Sequence, residues 1–337
     1  MRILAADIGG TKTLFQISQL IAGEHEVVFE KRFLSNQWND FSKAATSFLN
    51  EAGDAANNIN AACFAVAGPV SGDGLSASVT NLPWLLECEA LKKSLQIPDI
   101  VLINDFQAVG YGIDKLSNAE LVTLQQGSPQ AQQPRLVIGA GTGLGVAQTI
   151  WQNGRYHVLP SEAGHSDFAA TNPQQLQLLK YLKQKYDHVS WEQLLSGRGV
   201  ENIYDFLRDS QHCEESNELK AAIAKQEDAA SAISEFAHKH GDPLASATLE
   251  LFVSIYGATA GNLALTTLPY NGVYIAGGIA AKILDFMTQE HFIKAFNNKS
   301  KMKTLLTSIP VHVITNANVG VLGASLIASY KASKKYK

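Results

Sequence analysis

Apolar residues along this chain come in short blocks, each closed by turn residues. Ile3, Leu4, Ala5 and Ala6 run into Asp7-Ile8-Gly9-Gly10-Thr11-Lys12-Thr13, and a second apolar-rich stretch covers residues 14–20. Such blocks mark buried strands. The pattern predicts a strand over residues 2–6, a glycine turn and a hairpin partner over 14–20. Phe41, Ala44, Ala45, Phe48, Leu49 and Ala52 fall at i, i+3, i+4, i+7, i+8 and i+11, the spacing of one apolar helix face. Residues 61–67 are nearly all apolar and stop at Gly68-Pro69, as a central strand covered on both faces does. A helix over 89–95 and a short buried strand over 100–103, ending at Asn104-Asp105, complete this half.

The second half repeats the strand–glycine turn–strand theme at residues 136–145, with glycine at every second position from Gly139 to Gly145. Asn172-Pro173 reads as a helix start with proline in the first turn. Ser190 and Gln193 have capping-box spacing, which puts Glu192 in a first helical turn. Residues 210–230 are charged and polar and read as exposed helix. Asp242-Pro243 opens a long helix running to about Leu268 and stopped by Pro269. A strand over 273–276, the turn Gly277-Gly278, a helix, a strand over 311–314 and a helix over 319–330 follow. The basic tail 331–337 reads as a solvated end. Alternating strands and helices predict open, mixed α/β sheets, in which ligands sit beyond the carboxyl ends of the strands. Asp7, Gly68 and Asp105 all fall at strand ends and are expected to line one cleft.

Composition narrows the function. The 337 residues suffice for two domains, and a net charge of −4 gives no general attraction to nucleic acid. Cys63, Cys88 and Cys213 are too far apart for a metal clip or a disulfide framework, so a reducing compartment is expected. No apolar run reaches the ~18 residues of a membrane span. Arg2 and Asp7 interrupt the first apolar block, unlike the core of a signal peptide. These readings place the protein in the cytoplasm.

Several residues can carry chemistry. Gly9-Gly10-Thr11 lets backbone N–H groups approach an anion, or it is an ordinary hairpin turn. The alternating glycines with Thr142 between them fit neither the dinucleotide fingerprint nor the Walker A loop, and a phosphate lying close to the backbone explains them better than packing does. Asp105 reads either as a general base or as the N-cap of a helix over 106–110. Glu162 and His165 lie three apart in a polar, glycine-containing stretch, suited to hydroxyl groups or, less well, to a metal. Glu192 complements a helix dipole at the least.

Together these residues resemble the bacterial glucokinases of the non-ROK type, within the hexokinase/actin/Hsp70-like ATPase fold. The resemblance spans nearly the whole chain. It is carried by Asp7-Ile8-Gly9-Gly10-Thr11, Ala67-Gly68-Pro69, Thr80-Asn81-Leu82-Pro83-Trp84, Ile103-Asn104-Asp105-Phe106, residues 139–145, Leu159-Pro160-Ser161-Glu162-Ala163-Gly164-His165, His188-Val189-Ser190-Trp191-Glu192, Leu195-Ser196-Gly197 and Ile275-Ala276-Gly277-Gly278-Ile279. It implies two ribonuclease H-like (actin-like ATPase) α/β domains with mixed sheets flanking a deep ATP/sugar cleft. Residues 1–106 plus 315–337 would form the small domain and 107–314 the large one.

The resemblance further implies phosphorylation of glucose at its 6-hydroxyl by ATP. Asn81, Asn104, Asp105, Glu162, His165 and Glu192 would bind the sugar, with Asp105 as base. Asp7, Gly9, Gly10, Thr11, Lys12, Gly139, Gly141, Thr142 and Gly143 would bind ATP, and Gly277 and Gly278 would lie near the adenosine. Asp7 would hold Mg²⁺ through water. A homodimer is expected, with no nucleic-acid or membrane partner. ROK kinases carry a cysteine-rich zinc motif after their Glu-x-Gly-His segment, whereas residues 167–172 here contain no cysteine, so no zinc is expected. Gly68-Pro69 and Ala163 depart from the commonest forms of their motifs. The competing readings are a kinase for another hexose, a sugar-responsive regulator and an actin-like motor ATPase. The regulator would need a DNA-binding segment ahead of residue 7, and the motor leaves Glu162, His165 and Glu192 without a task.

Overall fold

The computed structural model describes residues 1–21, 24–225 and 228–333. Its elements begin with β1 (Arg2–Ile8), β2 (Lys12–Ile21), β3 (Glu24–Leu34), α1 (Phe41–Ala52), β4 (Ile59–Val66), β5 (Ser76–Ser78), β6 (Leu85–Glu87), α2 (Cys88–Leu95), β7 (Asp99–Asn104) and α3 (Asp105–Gly112). There follow β8 (Leu121–Gln125), β9 (Arg135–Ala140), β10 (Leu144–Gln152), β11 (Arg155–Ser161), α4 (Pro173–Leu182), α5 (Gly197–Asp209), α6 (Asn217–Lys225), α7 (Ala229–His240) and α8 (Pro243–Thr267). The last are β12 (Gly272–Ala276), α9 (Gly278–Lys282), α10 (Leu284–Met287), α11 (Glu290–Asn297), α12 (Lys303–Thr307), β13 (Val311–Ile314) and α13 (Val319–Ala332). The chain packs as two units. One comprises Met1–Asn118, His157–Pro160 and the chain from Asn316 onward; the other comprises Ala119–Tyr156 and Ser161–Thr315.

The first unit is built on a five-stranded sheet in the order β3-β2-β1-β4-β7. β1 pairs antiparallel with β2 and parallel with β4, and β4 pairs parallel with β7. From Ala61 to Val66 every side chain of β4 is buried, as its unbroken apolar run predicts. Asp40 caps α1, its carboxylate accepting the Lys43 N–H at 2.9 Å. The apolar face of α1 then meets Phe15, which stacks on Phe41 and Phe48 with ring centroids 5.5 and 5.1 Å apart. On the same unit α13 packs against β1, β4 and α3. The contact with α3 is backbone on backbone: a methyl group at Gly323 would lie 1.8 Å from the Ala108 carbonyl oxygen.

The second unit is built on sheet strands in the order β10-β9-β12-β13-β8. β9, β12 and β13 run parallel, and β10 returns antiparallel on β9. Asp242 accepts the Ala245 N–H at 2.9 Å and Pro243 occupies the first turn, so α8 starts where the sequence places it. This helix of 25 residues is apolar around its circumference and lies buried in the core. α11 closes on it where Gly257 and Gly261 leave room for the carbonyl oxygens of Phe292 and Phe296.

Three stretches differ from the sequence reading. β3 has only the short run Val27-Val28-Phe29 to announce it, because it is an edge strand with Val27 and Val28 exposed among charged residues. The Ser190 turn continues as a single 3-10 turn over Trp191–Gln193 and not as an α-helix. Helix within 210–230 begins only at Asn217, and residues 226 and 227 lie outside the described residues, as does the basic tail beyond Ser333. Among the described residues no helix is long and apolar enough to cross a membrane.

Gly323→Ala is expected to lower stability by about 1–3 kcal/mol, the usual cost of overpacking. Gly72→Ala, where a methyl group meets nothing within 4 Å, should stay within about 0.5 kcal/mol of the parent. Chemical unfolding of the two variants measures the difference.

Candidate active site

On the first unit, β1 delivers Asp7 to the mouth of a tight turn. The Gly9 N–H donates to the Lys12 carbonyl at 3.0 Å, and the Ser35 hydroxyl donates to the Gly9 carbonyl at 2.8 Å. Gly10 is held close to a second segment: a methyl group there would lie 3.1 Å from the Thr80 carbonyl and 3.9 Å from the Asn81 Cβ. Asn81 itself is exposed, in left-handed backbone at φ 65°. Its segment is tied to the sheet because the Thr80 N–H donates to Ala67, whose own N–H donates to Ile8, both at 2.9 Å. Thr11 and Lys12 are exposed at the tip. The turn therefore joins Asp7, Gly9, Gly10 and Asn81 in one region.

Asp7 is half-buried, and desolvation pushes its carboxyl up from 3.8 to about 6, against the pull of the Arg32 guanidinium. It rests against the first turn of α13, where a methyl group at Gly320 would come within 2.7 Å of Oδ2. Arg32 is fixed in turn by donating to the Asn318 side-chain oxygen at 3.1 Å. Neither Gly320 nor Arg32 was marked by any local signal in the sequence. A half-buried carboxylate that pays for desolvation suits a hard cation. Among the described residues no three His, Cys, Asp or Glu side chains form a metal cage, so the other ligands of such a cation would be waters or substrate oxygens.

At the end of β7 the helix cap falls one residue earlier than the sequence reading allowed. Asn104 is the cap of α3: its side-chain oxygen accepts the N–H groups of Phe106 (2.9 Å) and Gln107 (3.4 Å), and Gln107 Oε1 accepts the Asn104 N–H at 3.0 Å. That leaves Asp105 in the first helical turn, half-buried, with Oδ1 accepting the Phe106 N–H at 2.9 Å. The positive end of the helix favours negative charge at this position.

The second unit brings its predicted residues together around the β9–β10 turn. The Gly141 N–H donates to the Gly143 carbonyl at 2.8 Å, and the Gly197 N–H donates to the Gly141 carbonyl at 2.9 Å, with Thr142 exposed at the tip. Gly139 is buried in β9, opposite Gly145 of β10. Glu192 Oε2 accepts the Leu144 N–H at 2.9 Å and lies 2.5 Å from where a methyl group at Gly143 would sit. Gly164 packs on the Leu144 carbonyl, where a methyl group would come within 2.2 Å. This contact carries Glu162 and His165 to the same place. His165 Nδ1 stands 4.0 Å from Glu192 Oε1, and His165 Nε2 stands 3.9 Å from Glu162 Oε2. The resulting set, two carboxylates with an imidazole between them, offers acceptors and a donor to a polyhydroxylated ligand.

The third glycine turn joins this region from behind. Gly277, at φ 86°, lies against the Ala140 carbonyl, where a methyl group would come within 2.4 Å, while Gly278 opens α9 with space around it. Tyr256 pins the same strand end. Its hydroxyl accepts the Ala140 N–H at 3.1 Å and donates to the Ile138 carbonyl at 3.3 Å.

Two α/β units with glycine turns at the ends of β1 and β9, an acid at the end of β7, and a carboxylate–imidazole cluster beside the second turn define a sugar kinase of the actin-like ATPase fold. The crystal structure of a glucokinase from an Antarctic psychrotroph superposes with a TM-score of 0.83 at 28% identity, covering 97% of this chain and 98% of that one. A Balamuthia mandrillaris glucokinase, solved in complex with glucose, shares the fold with a TM-score of 0.80 at 22% identity, over 97% of this chain and 93% of its own. A glucokinase of Trichormus variabilis is 45% identical over 340 aligned positions, 97% of this chain and 98% of that protein. The sequence model of the Glucokinase family matches residues 4–331, and the chain belongs to that family.

The raised Asp7 gives a pH-dependent prediction. The folded protein binds this proton more tightly than the unfolded chain does. Its stabilising contribution is therefore complete below the unfolded value of 3.8 and is lost as pH rises through about 6. Asp7→Asn removes that loss. The variant is expected to be more stable than the parent by about 2 kcal/mol at pH 8, and no more stable at pH 3.5, in unfolding experiments without nucleotide or metal.

Proposed function

We propose that the protein transfers the γ-phosphoryl group of ATP to the 6-hydroxyl of D-glucose, giving ADP and glucose 6-phosphate. The observation that carries this reading is the gathering of Glu162, His165 and Glu192 around the glycine turn at 141–143. One short region then offers hydrogen-bonding groups for a sugar and backbone N–H groups for phosphates. Membership of the glucokinase family supports the same choice of donor and acceptor.

In this reading Asn81, Asn104, Glu162, His165 and Glu192 bind glucose. Asn104 has its side-chain oxygen committed to the cap of α3, so its NH₂ group is the part that serves the sugar. Asp105 takes the proton from the 6-hydroxyl as that oxygen attacks the γ-phosphorus. The new O–P bond forms as the bond to the ADP oxygen breaks. Backbone N–H groups of the two glycine turns, other than those of Gly9 and Gly141, which are bonded within their own turns, offset charge on the transferring group. Gly139 gives the strand end its close backbone, and Gly277-Gly278 leaves room for the adenosine. Mg²⁺, held through water by Asp7, would supply charge neutralisation to the β- and γ-phosphates. The unpaired Cys63, Cys88 and Cys213 support a cytoplasmic setting, and a homodimer follows from the family resemblance.

ADP and glucose 6-phosphate are expected to appear one for one when the protein is given glucose, ATP and Mg²⁺. ADP release without sugar phosphate would sink the choice of acceptor. Asp105→Asn is expected to lower kcat by about 10²–10⁴-fold, the range for losing a general base, while glucose binding measured by calorimetry persists. Near-parental turnover in that variant would remove Asp105 from the role.

A further inference from the structure

Elsewhere on the second unit lies a cavity of about 630 Å³, lined by residues of α8, α11, the start of α4 and the segment leading into α12. Its charged groups do not balance. Lys294, Lys299 and Lys303 line it with a single carboxylate, Glu290, and that carboxylate is already paired with Lys294. No ion pair engages Lys299 or Lys303 among the described residues, in a protein whose net charge is −4. The remaining polar lining is Thr171, Asn172, Ser254, His291, Asn297 and Asn298.

Lys299 is the informative residue. A lysine at a surface ordinarily extends its ammonium into water. This one is half-buried, its stem lying on α8 where a methyl group at Gly261 would come within 3.0 Å of Cε. Desolvation with no opposing partner holds its pKa below the usual lysine range. The Lys299 N–H donates to the Asn297 carbonyl at 2.8 Å, the Met302 N–H donates to the Lys299 carbonyl at 2.9 Å, and Ser300 sits in left-handed backbone at φ 47°. A non-glycine residue in that conformation carries strain. A strained turn that holds an unpaired cation partly out of water lowers stability, and an anion at the ammonium would offset the loss.

We propose that this cavity binds a small organic phosphate, a phosphate monoester that also carries hydroxyl groups. Lys299 and Lys303 supply two point charges for the dianion. The volume exceeds what a bare phosphate fills and falls in the range of small-molecule sites. The amides of Asn172 and Asn298 and the hydroxyl of Ser254 meet the hydroxyl groups of the ester. The site is separate from the residues assigned above to glucose and ATP, and does not depend on that assignment.

Titration calorimetry of the full chain with glycerol 3-phosphate, and with inorganic phosphate for comparison, tests the proposal. One molecule of glycerol 3-phosphate is expected to bind per chain, more tightly than inorganic phosphate. Lys299→Gln should weaken it by about tenfold or more, the usual effect of losing a charge-assisted bond at a partly desolvated site. Lys303→Gln, at an exposed position where folding is not at risk, should weaken it as well. Affinity unchanged in both variants, no saturable binding at millimolar concentrations, or equal affinity for inorganic phosphate would each overturn the assignment.

Discussion

Around Leu144 the main chain is approached from several sides, and at each approach a side chain is missing. Glu192 reaches the Leu144 N–H only because residue 143 is glycine; the segment carrying Glu162 and His165 rests on the Leu144 carbonyl only because residue 164 is glycine. Gly277 makes the same allowance beside Ala140. A donor at a strand end must find an acceptor once water is excluded. Here the acceptor is a carboxylate brought in from 48 residues away. The hydrogen bond satisfies the backbone and fixes the orientation of the acid, so folding and site assembly are the same event in this unit.

The two units treat their acids differently. In the first, Asp7 is held half out of water against α13, and the free protein bears the cost. Asp105, two strands further along the sheet, sits in the first turn of α3, where the helix end favours its charge. In the second unit Glu162 and His165 are exposed and Glu192 less so. Their positions come from backbone contacts and leave their functional atoms open. A desolvated carboxylate suits a cation, and exposed ones suit exchangeable hydrogen bonds with hydroxyl groups.

Much of the framework was legible because it is buried. β1, β4, β9 and β12 are apolar runs closed by glycine or aspartate, and the faces of α1 and α8 follow from spacing and caps. β3 was not legible, since its apolar stretch is only Val27-Val28-Phe29 among charged residues, as an exposed edge strand allows. The cap of α3 lies at Asn104, one residue before Asp105, and its sequence signal is the capping-box spacing of Asn104 and Gln107. The surroundings of Asp7 were beyond any local pattern. Gly320 and Arg32 reach it from distant parts of the chain, and only the sheet order and the packing of α13 put them there. The link between Glu192 and Leu144 is of the same kind: each motif was visible, their junction was not.

The packing of α13 has a bearing on how this protein is made. β1 and β4 emerge early from the ribosome, but the helix that covers them, and supplies Gly320 to Asp7, is translated only after the whole second unit. Until then one face of an apolar sheet lacks its cover. The second unit can complete its own core first, while the nascent first unit stays open to chaperones and to mispairing. A slow or paused ribosome near residues 319–332 would lengthen that exposure, making the yield of folded protein sensitive to codon choice in that stretch.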